Sequence, residues 1–348
     1  MGESEYFGIA RPDDWRCGMC GRSRGEHRCV SGFSRIKYNF VGMLRIKNEE
    51  RWLPEAIESL LPLCGAIFIM DDHSTDASRE ICQRYASKVT VLESPFVGIN
   101  ESRDKNWLLD QLLIACEPQL IICIDGDEAL EERGPGIIWE TCAANTDATA
   151  FSLQIAFLWG SRDHVRVDRI YGDFWRPSLF RPFIERPGVP DDAKIGQEFR
   201  FMATPFGRRR GTDKPNLHCS SVPQRRLHGR RLCPVRIKHF GYMAREDRVR
   251  KLDFYTSIDW LNDAEDCYRH MTQGDGVTLA ELPRVNQLIS EGILSENDAQ
   301  SLCSIPSDAR LVHAGPLRII PWKEDSPWEI SEWARREHSM PQIGSIAS

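Results

Sequence analysis

Leu120-Ile121-Ile122-Cys123-Ile124-Asp125-Gly126-Asp127-Glu128 is the stretch from which the rest of the chain can be read. Five apolar residues in a row, without the polar alternation of a half-exposed strand, predict a strand buried on both faces. Asp125, Asp127 and Glu128 follow at its carboxyl end. The glycine between the aspartates suits a tight turn. Carboxylate ligands favour magnesium or manganese over zinc, bound directly or through water.

Moving outward, the same grammar repeats upstream. Tyr38 to Ile46 predicts a strand, and Leu53, Ala56, Ile57, Leu60 and Leu61 recur at the spacing of one helical face, with Gly65 ending the helix. Ala66 to Met70 is a second buried strand, followed at once by Asp71-Asp72. Ser74-Thr75-Asp76 offers capping oxygens to a helix carrying Ile81 and Tyr85. Val89 to Leu92 predicts a third strand. The run Ser102 to Cys116 predicts a helix with Leu108, Leu109, Leu112, Leu113 and Cys116 on one face. Apolar strands alternating with amphipathic helices predict an α/β fold, a mostly parallel sheet flanked by helices. Such sheets bind ligands beyond the carboxyl ends of their strands. Both acidic clusters lie there, so both are expected to open into one crevice.

The 348 residues, 41% hydrophobic and 28% charged, suffice for one large domain plus additions and argue against disorder. A net charge of −6 gives no overall reason to expect a nucleic-acid partner. The locally basic stretch from Arg208 to Arg231 reads as a phosphate- or acceptor-binding loop or as solvated charge. The apolar runs fall far short of the roughly 20 residues of a membrane-spanning helix. The N-terminus does not read as a secretory signal, so a cytoplasmic location is expected. Of 12 cysteines, Cys64, Cys82, Cys116, Cys123 and Cys142 sit in apolar surroundings typical of reduced thiols. Cys17, Cys20, His27 and Cys29 supply four soft ligands in a polar head, either a structural zinc site or free thiols.

Three segments then carry a family resemblance across roughly residues 39–160. Gly42 to Glu50, Met70-Asp71-Asp72-His73-Ser74-Thr75-Asp76 and Ile124-Asp125-Gly126-Asp127-Glu128 resemble, in this order, the motifs of the family 2 glycosyltransferases, which share the GT-A fold. His73 stands where the family usually has glycine; histidine is among the less disfavoured residues at positive φ. The resemblance implies a nucleotide-sugar donor, with a UDP-sugar favoured, and a manganese or magnesium ion. It implies that Asp72 contacts the base, that Asp71 contributes nearby, and that Asn48 and Glu49 shape the nucleoside pocket, helix capping being the alternative for that pair. Arg103 is the candidate diphosphate contact. Asp127 is the implied metal ligand, and Asp125 a nucleotide or metal contact.

On the acceptor side, Trp175-Arg176-Pro177-Ser178-Leu179-Phe180-Arg181 resembles a segment of several family members, with a structural Trp-Pro turn as the alternative. Arg236 to Tyr242, followed by Arg248, Lys251 and Tyr255, resembles a His-x-Gly-Tyr segment found in a subset. This makes His239 a candidate metal ligand, with His218 its competitor. Inverting transfer needs a general base, and Asp191, Asp192 and Glu198 lie where family members commonly carry one. Helices are expected at Arg248 to Asn262 and Leu279 to Ile289. Trp322, Trp328 and Trp333 are expected to pack the tail onto the catalytic domain or to stack on sugar.

The expected organisation is a Cys- and Arg-rich segment at 1–36, a GT-A domain at 37–245 and a helical extension at 246–348. Within the GT-A domain, 37–130 is the nucleotide-binding half and 131–245 the acceptor half. This reading leaves the acceptor open among a carbohydrate, a peptide and a small molecule. Two other functions fit a related sheet: sugar-phosphate nucleotidyl transfer, whose Gly-rich basic loop residues 42–51 lack, and a non-catalytic binding protein that kept the fold.

Overall fold

The computed structural model describes residues 36–182, 200–202, 219–223, 229–259 and 268–323. Strands β1 (Ile36–Ile46), β2 (Ala66–Asp71) and β3 (Val89–Glu93) are parallel neighbours, joined by helices α1 (Leu53–Leu60) and α2 (Ser78–Gln83). Helix α3 (Glu101–Ala115) then carries the chain to β4 (Cys116–Cys123), which lies on the other side of β1. The strand order therefore reverses between β1 and β4, and in open α/β sheets the crevice beyond such a reversal is where ligands bind.

Side-chain alternation along β1 explains why both faces are covered. Phe40, Leu44 and Ile46 pack with Leu53, Ala56, Ile57 and Leu60 of α1. Val41 and Met43 pack on the opposite face with Leu108, Leu109, Leu112 and Leu113 of α3. Each such fully buried aliphatic side chain contributes about 1.5–3 kcal/mol. The Asn100 side chain starts α3 by accepting the Arg103 amide at 3.1 Å. The five cysteines expected as buried thiols are buried.

Beyond β4 the sheet changes character. Strands β5 (Glu128–Leu130), β6 (Ala150–Trp159), β7 (Ser161–Arg166), β8 (Trp175–Phe180), β9 (Arg230–His239) and β10 (Ile319–Pro321) complete it in the order β10-β7-β6-β8-β4-β1-β2-β3, with β9 paired to β6 and β5. Helix α4 (Gly134–Ala144) links β5 to β6. β8 runs antiparallel to both β4 and β6, so Trp175 to Phe180 is a strand and not a Trp-Pro turn. The antiparallel register of β5 and β9 places Glu128 opposite His239.

Helix α5 spans Arg245–Ile258, and α6 (Pro283–Ser290) is preceded by a separate 3-10 turn at Leu279–Glu281, because Pro283 breaks the expected continuous helix. These elements and α7 (Glu296–Ser301) close a core of their own around Leu252, Leu282, Val285 and Ala299. Trp322 packs against Trp52, Leu158 and Phe240. Trp328 and Trp333 lie outside the described residues. No helix among the described residues is long and apolar enough to cross a membrane.

Candidate active site

Two clusters face the crevice, and each is built differently. At the end of β2, Asp71 and Asp72 are both buried. Asp71 accepts the Ser74 amide at 3.1 Å and lies 3.3 Å from Arg79 Nε. Asp72 Oδ2 takes Arg45 Nη2 at 2.7 Å and Lys47 Nζ at 3.3 Å. The same guanidinium donates through Nε to Asp104 at 2.9 Å, bridging β1 to α3. Sequence reading missed Arg45. Its signal was available: a lone cation inside an otherwise apolar strand has to be paired.

The turns after β1 and β2 are laced together. Asn48, at φ 57°, accepts the Thr75 amide at 2.7 Å and donates its own amide to Ser74 Oγ at 2.9 Å. The Glu50 amide donates to Asp76 at 3.0 Å, and Glu50 accepts the Ala77 amide at 2.9 Å. Of the three expected capping residues, Asp76 serves the start of α2 by accepting the Ser78 amide at 3.0 Å, while Ser74 and Thr75 bind Asn48 instead. His73 occupies a left-handed position at φ 56°, with Nε2 3.0 Å from the Phe96 carbonyl. Arg103 points toward Asp104 (2.8 Å) and the Gly98 carbonyl (2.7 Å) and lies over the Phe96 ring.

The second cluster assembles around Asp125-Gly126-Asp127-Glu128. Gly126 is needed for space and not for a left-handed turn: a Cβ there would lie 2.8 Å from Glu49 Cγ and 3.0 Å from Ile46 Cγ2. That contact sets Glu49 beside the aspartates, at the junction of β1 and β4. Arg176 of β8 binds Asp125 at 3.2 Å and pairs closely with Glu128. Lys251 of α5 places Nζ 2.7 Å from Asp127 Oδ2. His239, at the end of β9, has Nε2 4.0 Å from the same oxygen, and its ring stacks on Tyr242. Gly241 lets the backbone pass, since a Cβ would fall 2.0 Å from Asp127 Oδ2 and 2.2 Å from Lys251 Nζ.

Charge states follow from these contacts. Burial opposes ionisation of Asp127, but the Lys251 ammonium outweighs it and holds the carboxyl well below its ordinary range. Asp125 is likewise held low against burial by Arg176 and Lys105. Burial, and then the Asp127 charge, push Glu49 up to about 8. Burial takes Glu128 up to about 7 despite Arg176, and pushes His239 down to about 4. His239 is therefore a neutral imidazole near pH 7, and neither its buried Nδ1 nor Glu128 Oε1 has a hydrogen-bond partner among the described residues. Near neutrality the centre holds ionised Asp125 and Asp127 against Arg176 and Lys251, with Glu49 largely protonated.

The donor chemistry of Asp125, Asp127 and His239 suits a divalent ion, but their placement does not make a ready site. No three His, Cys, Asp or Glu side chains among the described residues are gathered as a metal would need. Asp127 Oδ2 already carries an ammonium. Asp191, Asp192, Glu198, His218, the arginines from 208 to 226, and Cys17, Cys20, His27 and Cys29 lie outside the described residues. Arg230 and Arg231, at the end of the basic stretch, begin β9; Arg231 binds Asp147 at 3.2 Å.

Residues 45–185 match the family model described as glycosyl transferase family 2. Over these residues, less than half of the chain, the sequence is similar to that family. The match runs from the end of β1 through β8 and takes in both acidic clusters and Arg176. No curated protein matches the chain. Among solved structures, S. aureus TarS 1-349 in complex with UDP-GlcNAc is similar at 14% identity, over 72% of this chain and 73% of that one, with a TM-score of 0.39. Glucosyl-3-phosphoglycerate synthase from Mycobacterium tuberculosis, in complex with Mn2+, UDP-glucose and phosphoglyceric acid, is 20% identical over 34% of this chain and 44% of that one, with a TM-score of 0.26. Likenesses this distant say nothing of donor or acceptor.

Proposed function

We propose that this family 2 domain transfers a sugar from a nucleotide-sugar donor to an acceptor hydroxyl, with inversion. The observation that carries the reading is the joint placement of Asp125 and Asp127 with Arg176, Lys251 and neutral His239 at the β1/β4 reversal. The leaving group of glycosyl transfer is a nucleoside diphosphate, and preorganised cations lower the cost of its growing charge. On the family resemblance a UDP-sugar is the favoured donor, with its base toward Asp72 and Asp71 and its diphosphate toward Asp125. Asn48 braces the turn beneath that base.

The reading assigns residues 37–245 to the transferase domain, 37–130 to the nucleotide and 131–245 to the acceptor, with 246–348 as an extension. That extension contributes Lys251 to the site. Manganese or magnesium would engage Asp125 and Asp127 only with Lys251 withdrawn, and no step above depends on the ion. Buried thiols support a reducing, cytoplasmic setting. Calorimetry with UDP-, GDP- and ADP-sugars, each with and without manganese, tests the proposal. The expected result is micromolar binding of one donor class and slow hydrolysis of that donor. Silence across the whole panel would sink the reading.

A further inference from the structure

Lys251 reaches the acidic centre from outside the sheet, on α5. That helix is held firmly: Arg248 donates to the Tyr242 and Met243 carbonyls at 2.7 and 2.9 Å and grips Asp275 at 2.6 and 2.8 Å, while Asp247 binds Arg51 at 2.9 Å. The Lys251 side chain is largely buried, and it sits on a carboxylate of the cluster. An ammonium has three donors. One goes to Asp127 at 2.7 Å, and the Tyr242 ring lies 5.1 Å away. Arg176, the other cation of the pair, is engaged by two carboxylates at once.

A diphosphate entering this centre adds negative charge next to Asp125 and Asp127, so it needs a cation with donors to spare. We propose that Lys251 is that cation: its ammonium binds the donor diphosphate directly while leaning on Asp127, and it competes with divalent ions for the same carboxylate. Gly241 is part of the device, because any side chain there would occupy the space between Asp127 and Lys251. A compact point charge on a flexible four-carbon stem can reach either partner, which the planar fork of an arginine would do less well. The inference rests on the nucleotide-diphosphate reading above.

The test is calorimetry on the full chain in chelator, comparing UDP with UMP for the wild type, Lys251→Met and Lys251→Arg. The wild type is expected to prefer UDP. Lys251→Met should erase about tenfold of that preference, the scale of one hydrogen bond to a charged group, while UMP affinity stays within about twofold. Lys251→Arg should keep part of it. A side chain with only a structural role would weaken UDP and UMP together, and that result, or an unchanged preference in Lys251→Met, overturns the inference. Failure of the wild type to bind either nucleotide overturns the donor reading itself. Should Lys251→Met not fold, Asp127→Asn compared with Asp127→Asn/Lys251→Met gives the same decision, since neither leaves a buried carboxylate unpaired.

Discussion

The two acidic clusters look alike in sequence and are held in unlike ways. Asp71 and Asp72 are tied mostly to neighbours within about 30 residues, through Arg45, Lys47, Ser74 and Arg79. Asp125, Asp127 and Glu128 depend on Arg176, His239 and Lys251, up to 124 positions away. The first cluster is a property of the β1-α1-β2-α2 unit. The second exists only once the later strands and α5 have docked, so its integrity reports on the whole domain.

That contrast can be broken most severely at Asp127. Asp127→Ala leaves the largely buried Lys251 ammonium unpaired and is expected to cost about 3 kcal/mol in urea denaturation. Adding Lys251→Met should recover much of it, and a double-mutant cycle with no coupling would refute the long-range pairing. Arg45→Met removes one of the two cations from each of two buried carboxylates, leaving Asp72 with Lys47 and Asp104 with Arg103, and should cost about 2 kcal/mol. Being local, it should show no coupling to Lys251→Met. Gly241→Ala forces a carbon against Asp127 and Lys251, with an expected loss of about 1–3 kcal/mol from overpacking.

The most gradual effects are those of pH, and the second cluster predicts two of opposite sign. His239 is depressed from 6.5 to about 4, so its unfolded form takes up a proton that the native form refuses. Stability should therefore fall as pH drops from 6.5 toward 4, with a slope of up to about 1.4 kcal/mol per pH unit that His239→Gln removes. Glu49 is raised from 4.5 to about 8, so the native state holds a proton that the unfolded chain has lost. Stability should decline as pH rises from 4.5 to 8, and Glu49→Gln should flatten that limb. Denaturant midpoints between pH 4 and 8 for the two variants measure both; identical profiles would contradict the charge states assigned to this centre.

Much of the first half was legible because its information is local. The apolar runs at 66–70 and 120–124, the helical spacing of Leu108 to Leu113 and the aspartates after two strands all appear as periodicity and order. Gly126 does lie in the expected tight turn, which the Glu128 amide closes on the Asp125 carbonyl at 3.1 Å; its φ is ordinary, and what the position requires of a glycine is the room it leaves for Glu49. Arg103, the diphosphate contact that the resemblance implies, directs Nε to Asp104 and Nη2 to the Gly98 carbonyl. Arg176 and Lys251 lie in or beside segments that resemble the family, but nothing in their neighbourhoods names a partner so far along the chain.

By itself, then, the sequence determined the alternating α/β order, the parallel strands and the placing of both acidic clusters at strand ends, since burial patterns and turn residues act over a few positions. Only the tertiary structure decided which cations meet Asp125 and Asp127. The order reversal at β1/β4, the β5–β9 register that brings His239 opposite Glu128 and the docking of α5 all rest on contacts between distant segments. The Asp125-Gly126-Asp127 tripeptide read as a metal motif. Packing made it the anchor of a lysine, because a buried carboxylate in a folded protein is neutralised by whatever cation the fold delivers to it.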